Sequence, residues 1–159
     1  MTGKLSQLPQ MLIDELSSAE GLQEVRWFSA FSAAHRQLPL KGIGASVDIA
    51  RVTMEQGRYS GLNTEGKEVF ACPVSAELEV NLICSPKEDA VCLREAFGAI
   101  CDRLMLCTGE LGTVQVSCEG IGYDSDVMGL RLKAMVKLSP LAVHLEQTAV
   151  FESLRLIQK

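Results

Sequence analysis

The chain has 159 residues, 47% of them hydrophobic and 22% charged, with a formal net charge of −5. A chain of that length fits one domain and buries roughly two-thirds of the surface its unfolded form exposes, so it needs no metal or disulfide staple. Its acidity argues against a general nucleic-acid binder, which needs a basic patch to displace counterions, and no apolar run is long enough to span a bilayer.

The first residues, MTGKLSQLPQMLIDEL, lack the apolar core of a signal peptide, which predicts a protein kept in the cytosol. Leu5, Leu8, Met11, Leu12 and Leu16 recur at helical spacing with Asp14 and Glu15 toward water, and Ser17, Ser18 and Gly21 end that helix. The run EVRWFSAFSAAHRQLPLKG reads as a strand, or a loop leading to one. In IGASVDIARV, Ile43, Ala45, Val47 and Ile49 share one face. EQGRYSGLNTEGKE is rich in glycine and polar residues and reads as an exposed loop.

VSAELEVNLIC carries the clearest strand. Val74, Ala76, Leu78, Val80, Leu82 and Cys84 alternate with Ser75, Glu77, Glu79 and Asn81, so one face is buried and one wet. A helix over 87–106 follows, with Ser85 as its cap, Pro86 at its first position and Gly109 past its end. Its apolar stripe is Ala90, Leu93, Phe97, Ile100, Cys101 and Leu104. Val114, Val116 and Cys118 then alternate, and Ile121 and Tyr123 do so with the opposite parity. One extra residue at Glu119–Gly120 predicts a β-bulge. DSDVMG turns the chain into a last strand, in which Leu130, Leu132, Ala134, Val136 and Leu138 alternate with Arg131, Lys133 and Lys137. If that strand neighbours the one bearing Glu77 and Glu79, cross-strand ion pairs follow. The expected fold is α+β: an antiparallel sheet near 43–52, 74–84, 113–123 and 129–138, with one long and one short helix packed on it. The sheet looks complete at Leu138 and Pro140 interrupts the chain. The expected organisation is therefore a single domain over 1–140 and a C-terminal arm over 141–159.

Chemistry is sparse. Cys72, Cys84, Cys92, Cys101, Cys107 and Cys118 form no CxxC pair and mostly occupy apolar positions, so they read as reduced core filler. Asp124 and Asp126 imitate the first two ligands of a calcium loop, but Met128 and Met135 stand where further oxygen ligands belong. His35 and His144 have no ligand neighbours at metal spacing. Gly42 and Gly44 lack the third glycine of a dinucleotide site and read as glycines entering a strand. No catalytic, cofactor-binding or metal residue is assigned, and no cofactor is expected.

The run PVSAELEVNLICSPKEDAVCLREAFGAICDRLM followed by VSCEGIGYDSDVMGLRLKAMVKL resembles tail terminator (tail completion) proteins of phages and prophages of Gram-positive bacteria. LPLKGIGASVDIARV and GRYSGL extend the likeness, which covers Leu38 to Leu138. The resemblance implies a non-enzymatic structural protein: a homo-oligomeric ring, a hexamer by that likeness, on the head-proximal end of a tail tube. Its partners would be itself, the tail tube protein and the head–tail connector, with a sheath protein as a further neighbour. DNA would pass through its channel without specific binding. The implied location is the virion tail, assembled in the host cytoplasm. Expected interface residues are Arg58 and Tyr59, with Val143, Leu145, Val150, Phe151, Leu154, Leu156 and Ile157 on the arm. Two other classes stay open: another tail tube or neck component, including a part of a phage-derived bacteriocin, and a small α+β enzyme or ligand-binding domain.

Overall fold

A computed structural model describes residues 5–28, 42–62, 64–106 and 111–146, with the backbone alone for 70–72 and 139–146. In chain order come helix α1 (Leu8–Ser17) and strands β1 (Arg26–Phe28), β2 (Gly44–Met54), β3 (Arg58–Leu62) and β4 (Glu68–Cys84). Helix α2 (Val91–Cys101) follows and runs into a π-helical turn, Asp102–Leu106. Strands β5 (Thr113–Cys118), β6 (Gly122–Asp124) and β7 (Gly129–Glu146) close the described chain. The sheet order is β1-β2-β4-β7-β5, with β3 also on β4 and β6 also on β7. Its pairings are antiparallel except β1 with β2, so the α+β sheet is mixed rather than wholly antiparallel.

Alternation builds the core. Ala76, Leu78, Val80, Leu82 and Cys84 on β4 and Leu132, Ala134, Val136 and Leu138 on β7 are buried on one face. Leu8, Leu12, Ile13 and Leu16 of α1 and Leu93, Ala96 and Ile100 of α2 cover that face. Fully burying one such leucine stabilises by about 1.5–3 kcal/mol. Two stripe assignments shift by a fraction of a turn: Ile13 is buried where Met11 is 40% exposed, and Ala96 is buried while Phe97 is only partly so.

Four expectations need correction. Ser85 does not cap the helix; its Oγ accepts from Lys87 N–H, Ser85 carbonyl accepts from Glu88 N–H, and the helix begins at Val91, whose N–H donates to Asp89 Oδ1. The long helix therefore starts at Val91 rather than at 87; with its π-helical turn it remains the longer of the two, 11 and 5 residues against 10 in α1. The 58–62 stretch is strand β3, not loop, because β4 offers it a backbone partner that its glycine-rich composition does not announce.

Last, the sheet does not end at Leu138. β7 continues through Pro140 to Glu146, pairing within the chain to Val69 on β4. Between Leu138 and Leu141, two β7 residues face one on β4, and a bulge is where a strand tolerates proline. Residues 141–146 thus belong to the sheet, and 147–159 lie outside the described residues.

The bulge after Cys118 is present. Cys118 lies opposite Ala134 and Gly122 opposite Arg131, one residue more on this side than on β7. Glu119 N–H donates to Lys133 carbonyl across it.

Candidate assembly surface

β2 and β3 run end to end along β4, from Gly44 opposite Ile83 to Leu62 opposite Glu68. Helix α1 packs on β1 and β2, and α2 on β4 and β7, whereas the main packing of β3 among the described elements is on β4. Beyond the level of Val74, β3 and the outer halves of β4 and β7 continue as a three-stranded ribbon. At about 3.3 Å per residue, 68–74 of β4 project roughly 20 Å. Register shifts at Ala50, Ser60 and 139–140 place the bulges on the strands flanking β4, which itself alternates without interruption. Bulges bend and twist a sheet, and these sit around the point where the ribbon leaves the core.

The register decides what the ribbon presents. Val52 lies opposite Ala76, Met54 opposite Val74, Tyr59 opposite Phe70 and Leu62 opposite Glu68. Those β4 positions are all even, so the four residues lie on the face that elsewhere forms the core. Among the described residues, α1 and α2 do not cover it here. Val52, Met54, Tyr59 and Leu62 are 39%, 49%, 60% and 63% exposed. Single exposed apolar residues are ordinary, but a row continuous with the core is a candidate interaction surface.

Of the expected interface residues, Arg58 and Tyr59 fall on β3 and are exposed. Val143 pairs with Cys72 and Leu145 with Phe70, so Tyr59, Phe70 and Leu145 form one row across the ribbon. Val150, Phe151, Leu154, Leu156 and Ile157 lie outside the described residues, as does His35; His144 pairs through its backbone with Ala71. The sequence reading missed Val52, Met54 and Leu62. Apolar residues alternating past the end of the helix-covered strand were the available signal.

The other sheet face carries a polar network around Arg131. Arg131 donates to Asn81 Oδ1 at 2.8 Å and Asp124 Oδ2 at 2.7 Å and lies 3.4 Å from Glu79 Oε1. Lys133 Nζ is 3.3 Å from Glu79 Oε2. Burial alone would raise the Glu79 carboxyl, but Asn81, Lys133 and Arg131 hold it below the usual range. The Arg131 hydrogen bond and the Asp126 N–H hold Asp124 low as well. A groove of about 250 Å³ beside this network is lined by Ser46, Asp48, Glu79, Asn81 and Arg131 among others. Asp124 and Asp126 form an Asx turn, with Asp126 N–H donating to Asp124 Oδ1 at 2.9 Å. Asp124 thus both orders the hairpin and binds Arg131.

The four cysteines with described side chains divide, and Cys107 and the side chain of Cys72 lie outside the described residues. Cys84 is buried and Cys92 and Cys101 are partly buried, as core filler should be; Cys118 is exposed, which corrects that reading for an edge strand. Cys84, Glu88 and Cys92 bring one ligand atom each within 4.8 Å of one another. Cys84 ends β4, Glu88 sits in the following turn and Cys92 opens α2. Compared with protein-family models and with curated protein sequences, the chain matches none.

Proposed function

We propose that the chain is a structural protein of a phage or phage-derived tail. It assembles into a homo-oligomeric ring, a hexamer, that ends the tail tube and meets the head–tail connector. The observation that supports this reading is the ribbon, with Val52, Met54, Tyr59 and Leu62 exposed on the continuation of the core face. At about 25 cal/mol per Å² of apolar area, covering such a row favours association, and symmetry repeats one such contact around a closed ring. The tube protein and the connector meet the two ring faces, a sheath protein lies outside where the tail is contractile, and DNA crosses the channel without specific contacts. The net charge of −5 suits passage, since like charge repels phosphate. Light scattering on the purified full chain should give a single oligomer several times the monomer mass, and electron microscopy should show rings with a central opening. A monomer at high micromolar concentration, with no rings, sinks the reading.

A further inference from the structure

We infer that Cys84, Glu88 and Cys92 form a binding site for a soft divalent cation such as Zn²⁺. The proposal does not rest on the assembly reading. Three observations carry it. The ligand atoms of these residues lie within 4.8 Å of one another. Zinc bonds of about 2.0–2.3 Å in tetrahedral geometry place ligand atoms somewhat closer than that, within reach of small side-chain rotations. The ligands come from three different elements, strand end, turn and helix, so the fold holds them together. And the Glu88 carboxylate is already oriented, because Gly42 N–H donates to its Oε1 at 3.2 Å. Gly42 has φ +76, which lets the backbone present that N–H.

The chemistry of the set is that of a partly open site. Two thiolates and one carboxylate fill three tetrahedral positions, and water or a group from a partner takes the fourth. Both thiols must lose their protons as the cation binds, so one Zn²⁺ displaces two protons to solvent. Because proton release accompanies binding, affinity rises with pH. Bound metal would tie the end of β4 to the start of α2.

The test uses the full chain, reduced and stripped with a chelator, then titrated with Co²⁺. Tetrahedral d–d bands and a thiolate-to-cobalt charge-transfer band should saturate at one cobalt per chain, and added Zn²⁺ should abolish both. Because Cys84→Ser risks the core, the variants are Cys92→Ser and Glu88→Gln. Each should weaken binding by at least about tenfold, the scale set by loss of even outer-shell partners, while Cys101→Ser should leave it unchanged. Two results overturn the proposal: no charge-transfer band at stoichiometric cobalt, or a band of unchanged intensity and affinity in Cys92→Ser.

Discussion

Arg131 shows how one side chain organises a whole face. It joins β4, β6 and β7 by reaching Asn81, Glu79 and Asp124. Hydrogen bonds to charged groups contribute about 1.5–3 kcal/mol, so Arg131→Ala should cost about 2–3 kcal/mol in denaturant unfolding. The pH dependence follows from two lowered carboxyls. Folded values below the ordinary 4.5 of Glu79 and 3.8 of Asp124 mean that their contribution is complete above about pH 4.5. It fades as pH falls through the lowered folded values. Stability measured from pH 6 down to 2 should therefore drop on the acid side, and Arg131→Ala should flatten that drop. Met128 is the second residue to test. It closes the hairpin turn with φ 52, a left-handed conformation, and its side chain is 70% exposed. Left-handed backbone strains an L side chain by about 1–2 kcal/mol, partly offset in glycine by the entropy it loses on folding. Met128→Gly should raise the melting temperature by a few degrees.

At the scale of elements, β7 carries the most. Its first half lies in the core and its second half supports the ribbon, with Pro140 at the bulge between them. Two truncations separate its roles from those of the residues beyond. Ending the chain after Ser139 removes the partner of 69–74 on β4 and leaves an open edge, so the shortened protein should aggregate. Ending it after Glu146 keeps every strand pairing of 69–84, so the shortened protein should stay folded and soluble. If that second protein no longer forms rings, the segment with Val150, Phe151, Leu154, Leu156 and Ile157 acts as an assembly arm; if rings persist, the ribbon suffices. Helix α2 offers a simpler test. Ile100 is fully buried against the sheet, and Ile100→Ala should cost about 2–5 kcal/mol.

For the whole molecule, the division of labour is spatial. Among the described residues, helices cover one half of one sheet face, and the other half of that face is the ribbon. Met54→Lys with Leu62→Lys changes residues 49% and 63% exposed, so folding stability should move by no more than about 0.5 kcal/mol per site. Association should suffer far more, because like charges would then face a repeated apolar contact. Sedimentation should show a folded monomer. Unchanged oligomer mass would remove the ribbon from the interface.

What the sequence by itself determined was local. Period two in 74–84 and 130–138 and period 3.6 around α1 and α2 specify buried faces, and the parity change at Glu119–Gly120 specifies the bulge, because each depends on side-chain spacing along one segment. Glu79 and Lys133 were legible as cross-strand partners once their strands were taken as neighbours. The tertiary structure alone decided the rest. β3 looks like loop until β4 supplies its hydrogen bonds, and Pro140 looks like a stop until a bulge absorbs it. Cys84, Glu88 and Cys92 have no familiar spacing, since a strand, a turn and a helix bring them together. Val52, Met54 and Leu62 become a surface only where the helices end, and the extent of that cover is a property of packing.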